Sequence, residues 1–106
     1  MQVTTTLHDR SAADRLASLV VEERLAACAQ VFGPVSSTYR WEGRVETADE
    51  WYCTLKTTAA RLPDLMDRLR AVHPYQIPEI IALPIRQGDA GYLRWIEEVV
   101  SVSGPG

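Results

Sequence analysis

The chain has few of the residues that build metal centres and covalent cross-links. Its 106 residues include two cysteines and two histidines, and no CxxC, HxH or HxxH spacing occurs. Cys28 and Cys53 stand in apolar, strand-like runs, which favours small buried side chains over a disulfide framework or metal ligands. The motifs GxSxG, P-loop, HExxH and GxGxxG are also missing, so we expect no enzyme.

Basic charge is also scarce. The net charge is −3, and the basic side chains are ten scattered arginines and a single lysine, Lys56. Nucleic-acid-binding domains normally carry a basic face, so this class is excluded. No apolar run approaches the roughly 18 residues of a membrane helix, and the first residues have no basic, then apolar, signal pattern. We therefore expect a cytoplasmic protein with no membrane partner.

Hydrophobic periodicity predicts alternating strands and helices. Strands are predicted over residues 3–7, 27–41, 45–58 and 79–85, and helices from Ser11 to residue 25 or 26, over 62–73, and from 91 or 92 to 100. Ser11, with Asp14 three residues later, resembles a helix-capping pair. The order βαββαβ plus a C-terminal helix predicts an α+β, ferredoxin-like sandwich. One domain spans 1–100, and the Gly/Pro/Ser-rich residues 101–106 form a flexible tail.

The second and third strands form a long hairpin. Glu42-Gly43 suits a two-residue turn with positive φ, and Gly33-Pro34 predicts a bulge that bends the hairpin. Its strands exceed the usual three to ten residues, so their ends should project from the domain. Two helices cover only one face of a four-stranded sheet. Both features predict an oligomer.

The segment 73–79, HPYQIPE, predicts a rigid polar loop between the second helix and the last strand. Its prolines restrict His73 and Ile77, and His73 either caps the helix or binds a ligand. Glu79 and Lys56 lie in or beside apolar strands, so each needs a partner. We expect each of them either to form a structural ion pair or to line an intersubunit pocket.

Five segments together resemble one known family. They are residues 23–28 (ERLAAC), 37–43 (STYRWEG), 55–58 (LKTT), 73–79 (HPYQIPE) and 92–96 (YLRWI). Their order and spacing are similar to those of the CutA family, the divalent-cation tolerance proteins, from about residue 3 to residue 100.

The resemblance implies a homotrimer similar in architecture to the nitrogen-regulatory PII proteins, with sheets facing the threefold axis and hairpins reaching neighbouring subunits. It implies a role in tolerance to divalent metals, copper above all. By the same analogy, His73 joins the residues of a mixed polar and aromatic intersubunit cleft. The other members of this cleft are Tyr39, Trp41, Lys56, Tyr75 and Glu79. Anchoring of an interface is the alternative role for Tyr39 and Trp41.

The copper site ascribed to some family members needs a cysteine on the first strand and two adjacent histidines. Thr5 and Val72 stand at two of these positions, and only His73 matches. The first hypothesis is therefore a trimer that binds copper or another divalent metal weakly or indirectly, through His73 and Cys28. The second is a PII-like sensor of a small molecule, or a trimeric assembly module, without a dedicated metal site.

Overall fold

The computed structural model describes residues 1–101, and the predicted elements occur there in the predicted order. Residues 102–106 of the predicted tail lie outside the described residues. The strands are β1 (Gln2–Leu7), β2 (Cys28–Trp41), β3 (Arg44–Lys56) and β4 (Ile80–Leu83), and the helices are α1 (Arg10–Glu22), α2 (Leu62–Val72) and α3 (Ala90–Val100).

The four strands form one antiparallel sheet in the order β2-β3-β1-β4, which confirms the ferredoxin-like arrangement. Side chains alternate between the faces of a strand. Val3, Cys53 and Leu55 are fully buried on the face that carries α1 and α2, and they pack there against Leu16 and Leu69. The core therefore lies between the sheet and these two helices.

Helix α1 differs from the prediction at both ends. Asp9, not Ser11, is the N-cap, and its carboxylate accepts a hydrogen bond from the Ser11 backbone N–H at 2.9 Å. The helix ends at Glu22 because Arg24 adopts a left-handed φ of 58°. The N–H groups of Arg24 and Leu25 then bond back to the last turn, closing a Schellman motif that usually contains glycine.

The predicted hairpin turn and bulge are confirmed. Glu42 and Gly43 have φ values of 50° and 80°, as a two-residue primed turn requires. The strand register shifts between Phe32 and Val35, where two residues of β2 face one residue of β3. Gly33 is required there, since a Cβ atom would lie 3.0 Å from the Glu50 carbonyl oxygen. The hairpin contributes to a longest dimension of 48 Å.

The C-terminal elements are shifted slightly from the prediction. Strand β4 stops at Leu83 instead of Ile85, because Pro84 has no N–H to continue a ladder. Helix α3 begins one residue early, at Ala90, with Asp89 as the N-cap that accepts from the Tyr92 N–H at 2.9 Å. Among residues 1–101, no helix is long and apolar enough to cross a membrane.

The second face of the sheet is uncovered in the single chain, as predicted. We call it the open face, and its apolar part consists of Phe32, Tyr52, Ile81 and Leu83. Phe32 is 51% exposed, Ile81 48% and Leu83 55%, while the rings of Phe32 and Tyr52 stack with centroids 5.2 Å apart. The sheet therefore presents half-exposed apolar side chains near both of its edges, on β2 and on β4.

Candidate functional site

His73 lies at the C-cap of α2, and its ring is buried against β1. Nε2 is 2.9 Å from the Thr6 carbonyl oxygen and 3.0 Å from Thr5 Oγ1. On the other side of the ring, Nδ1 accepts the Tyr75 backbone N–H at 3.1 Å. Because a carbonyl oxygen can only accept, Nε2 carries the proton and Nδ1 offers its lone pair to Tyr75.

This environment keeps His73 neutral. Burial lowers the pKa of the imidazole, and this effect outweighs the hydrogen bond to Thr6 and the negative charge of Glu50, which raise it. Both ring nitrogens are already used within the fold. A metal ion could take the Nδ1 lone pair only by displacing the Tyr75 N–H.

Tyr75 joins the predicted rigid loop to the hairpin. Its hydroxyl donates to Glu50 Oε2 at 2.8 Å, and Glu50 lies on β3 beside the bulge. Burial and the neighbouring carboxylate raise the pKa of Tyr75 well above its usual value. The ring of His8 packs on that of Tyr75 with centroids 4.2 Å apart, and the ring of His73 meets it edge-on at 4.7 Å.

Glu50 is a carboxylate with only 8% of its surface exposed. Burial would raise its pKa, but hydrogen bonds from the side chains of Ser37, Tyr75 and Thr6 outweigh this effect, and the pKa is lowered. Glu50 thus stays ionised, and its hydrogen bond with Tyr75 joins β3 to the loop. We call Glu50, Tyr75, His73 and His8 the Glu50 cluster.

Glu50 and His8 belong to this site, although neither was predicted from the sequence. Glu50 follows Asp49 in a hairpin strand that carries several charges, so its sequence neighbourhood is that of a solvated strand. Its burial comes from the Tyr75 loop, 25 residues away in the chain. The one sequence signal for Glu50 is the alternation of side chains along β3, which places it on the same face of the sheet as Tyr52 and Lys56.

A second polar group lies at the other end of the open face. Lys56 is directly opposite Cys28, and its Nζ donates to Gln30 Oε1 at 3.1 Å. Tyr92 reaches across from α3, with its hydroxyl 3.4 Å from Cys28 Sγ. We call Cys28, Gln30, Lys56 and Tyr92 the Lys56 corner.

A single chain does not bring the predicted cleft residues into one pocket. Tyr75 belongs to the Glu50 cluster, whereas Lys56 lies roughly 20 Å from Glu50 along β3, at about 3.4 Å per residue. Tyr39 and Trp41 lie in the distal half of the hairpin, 38% and 37% exposed.

Glu79 departs from the sequence-based expectation of a partner. It is exposed and lies just outside β4. Within residues 1–101 it makes no side-chain hydrogen bond or ion pair. Any pocket that contains all the predicted cleft residues therefore requires more than one copy of the chain.

The two predicted metal ligands are also separated. His73 contacts Thr5 and Thr6 at one end of β1, whereas Cys28 pairs with Lys56, which faces Gln2 at the other end. Among the described residues, no group of three or more His, Cys, Asp or Glu could hold a metal ion. The second thiol, Cys53, is buried, and this burial raises its pKa to about 12.

Comparisons with known sequences point to one family. The family profile described as "CutA1 divalent ion tolerance protein" matches residues 1–99. The divalent-cation tolerance protein CutA of Thermus thermophilus is 43% identical over 96 residues, which cover 91% of this chain and 93% of the relative. Protein CutA of Homo sapiens is 40% identical over 94 residues, covering 89% of this chain. The chain spans about half the length of the human relative (52%) and of the mouse relative (58%).

Solved structures agree with the sequence comparisons. The divalent cation tolerance protein from Thermus thermophilus has a TM-score of 0.90 at 41% identity, covering 95% of this chain and 100% of its own. CutA from Xylella fastidiosa has a TM-score of 0.91 at 37% identity, with coverage of 94% and 96%. A relative from Archaeoglobus fulgidus, described as a periplasmic divalent cation tolerance protein, has a TM-score of 0.90 at 35% identity, with coverage of 94% and 97%.

Proposed function

Because the chain belongs to the CutA1 divalent ion tolerance protein family, we propose that it acts in divalent-cation tolerance, copper tolerance above all, as a homotrimer. Its metal binding is weak or indirect, and its intersubunit clefts are walled by the loop of the Glu50 cluster. The proposal assigns no catalytic step to the chain. It places the protein in the cytoplasm, where both free thiols would stay reduced.

The uncovered open face is the main observation that supports the proposed trimer. Phe32, Ile81 and Leu83 are each about half exposed on one side of a single sheet. Exposed apolar side chains of this kind on a sheet face mark interaction surfaces in soluble proteins. The hairpin extends the molecule to 48 Å and gives a radius of gyration of 14.7 Å, against about 13 Å for a compact domain of this length. This extension of the hairpin supports contacts of its distal strands with neighbouring subunits.

The geometry of His73 supports weak or indirect metal binding. Both of its nitrogens are hydrogen bonded, and the thiol of Cys28 lies at the opposite end of β1. Copper or another divalent ion would therefore have to displace a backbone N–H or recruit donors from a second subunit. If assembly or another ligand mediates tolerance, no backbone N–H has to be displaced and no donor from a second subunit is needed.

A PII-like sensor or assembly module is the second candidate function. Two observations favour it: the aromatic side chains of Tyr39 and Trp41 are exposed on the hairpin, and Lys56 has no acidic partner within residues 1–101. Residues of this kind line small-molecule sites once a neighbour closes the cleft. In this role the effects of metals on the protein are indirect.

Multi-angle light scattering tests the trimer directly. We expect a mass three times the 11.8 kDa of one chain. The Phe32→Asp variant places a charge in the open face and should lower the mass, whereas Ser18→Asp on the exposed surface of α1 should leave it unchanged. A monomeric wild-type protein at micromolar concentration would overturn the proposal.

A further inference from the structure

We propose that the Lys56 corner is a binding site for a small oxyanion, a molecule that carries a carboxylate or phosphate group. This inference rests on the proposed function in one respect, since it names the ligand class for the part of the cleft that contains Lys56.

Within one chain, the charge balance of the corner is positive. Lys56 is half-buried, and its two direct cross-strand neighbours are the uncharged residues Cys28 on β2 and Gln2 on β1. Within residues 1–101, no carboxylate lies within 4 Å of its ammonium group. A cation on a sheet face without an acidic neighbour attracts an anion.

The hydrogen-bond inventory also favours an acceptor-rich ligand. A lysine ammonium has three donors, and Lys56 uses one of them on Gln30 Oε1. Gln30 uses its carbonyl oxygen in that contact, which turns its NH₂ donors to other partners. An oxyanion would accept from both groups through charge-assisted hydrogen bonds.

The same arrangement disfavours a metal cation. Cys28 Sγ is the soft donor of the corner, and it is hydrogen bonded to the Tyr92 hydroxyl at 3.4 Å. Lys56 is the direct cross-strand neighbour of Cys28, and its positive charge would repel a divalent ion at this thiol. An anion meets no such repulsion.

Helix α3 provides a wall beside the corner. Tyr92 reaches Cys28 through its hydroxyl, and its ring stacks on Trp95 with centroids 5.6 Å apart. Both rings are 41% exposed. They offer aromatic surface beside Cys28, the cross-strand neighbour of Lys56, so an organic anion gains apolar contact that an inorganic ion lacks.

The single lysine gives the test a specific probe. Reductive methylation with ¹³C-formaldehyde labels Lys56 and the amino terminus, and the two methylamine signals are followed by NMR during titration with malonate, benzoate, inorganic phosphate and chloride. We expect a saturable shift of the Lys56 signal with malonate and phosphate, and a stronger one with benzoate. The amino-terminal signal and the chloride titration report non-specific ionic effects.

Matched variants complete the test by calorimetry on unlabelled protein. Lys56→Met should weaken the binding of malonate and phosphate about tenfold or more, as expected for loss of a charged hydrogen bond. Arg70→Met removes one positive charge from α2 and should bind as the wild type does. Equal, linear shifts of both methylamine signals, or binding that survives in Lys56→Met, would overturn the anion site. So would binding of Cu²⁺ at Cys28 in place of the anions.

Light scattering on the same samples separates this inference from the proposed function. A trimer that binds none of the anions retains the proposed function and rejects the anion site. A monomeric wild-type protein rejects the proposed trimer whatever the titrations show. Lys56→Met should keep the mass of the wild type, and loss of the trimer in this variant would overturn the anion site by assigning Lys56 to assembly.

Discussion

Tyr75 donates its hydroxyl to Glu50 at 2.8 Å, although the two residues are 25 positions apart in the chain. This bond joins the loop that follows α2 to the hairpin at its bulge. The hydroxyls of Thr6 on β1 and Ser37 on β2 also lower the pKa of this carboxylate, so a nearly buried charge lies where three strands and the loop meet. The prolines predict a rigid loop, and the hydrogen bond from Tyr75 to Glu50 restrains this loop further from outside.

Removal of the Tyr75 hydroxyl should destabilise the protein. In Tyr75→Phe, Glu50 keeps its burial but loses one of three hydroxyl donors, which should cost about 1–3 kcal/mol of unfolding free energy. Tyr39→Phe, on the exposed hairpin, should cost less than about 0.5 kcal/mol. Urea denaturation at fixed protein concentration measures both. Equal losses for the two variants would contradict the assigned role of the Tyr75–Glu50 bond.

Ionisation of Glu50 should stabilise the protein at neutral pH. Its pKa is lowered in the folded state, so the unfolded chain binds the proton more readily. The stabilisation is complete above the unfolded value, which is about 4.5. It is lost as the pH falls through that value toward the lower folded one. The urea midpoint of Glu50→Gln should therefore depend less on pH than that of the wild type between pH 6 and about 3; parallel curves would refute this assignment.

His73 should titrate below an ordinary histidine. Burial lowers its pKa, so the unfolded chain takes up the proton first and folding stability falls as the pH drops below about 6.5. The chain has only two histidines, and His8→Asn leaves His73 as the single imidazole signal in an NMR titration. We expect its midpoint below 6.5 and a ¹⁵N pattern of the Nε2–H tautomer. A midpoint above 6.5 would show that His73 gains a charged partner instead.

Copper binding should be increased by restoring the two donors that the chain lacks. Thr5 contacts His73 Nε2 and Val72 precedes His73, so Thr5→Cys combined with Val72→His places a thiolate and a second imidazole beside it. We expect at least a tenfold tighter affinity for copper than in the wild type, measured by competition with a chromophoric chelator. Thr4→Cys with Val72→His is the matched control, because Thr4 points to the opposite face of the sheet. Equally tight binding by the wild type would contradict weak or indirect metal binding.

Local patterns predicted the strands and helices, and their boundaries were wrong where a cap or turn residue other than the expected one ends the element. Alternation and the Glu42-Gly43 turn predicted the hairpin, and Gly33-Pro34 predicted its bulge. The end of α1 was missed because Arg24 adopts a positive φ without the glycine that usually marks such an end.

The candidate site was predictable only in part. The loop and Lys56 stand out in the sequence because a polar residue in an apolar context needs a partner. Gln30 as the partner of Lys56, and the absence of any partner for Glu79 within residues 1–101, depend on strand register and on the end of β4. Glu50 carried no such mark, because its burial is produced by Tyr75.

By itself, the sequence determined the element order, the ferredoxin-like topology, the bent hairpin and the family, because each follows from periodicity, turn chemistry and motifs in register. Only the tertiary structure decided the state of His73, the burial of Glu50 and the separation of Cys28 from His73. These properties depend on contacts between distant strands and loops. The physical reason is that hydrogen-bond partners and burial are set by how elements pack, which the local pattern of a chain does not specify.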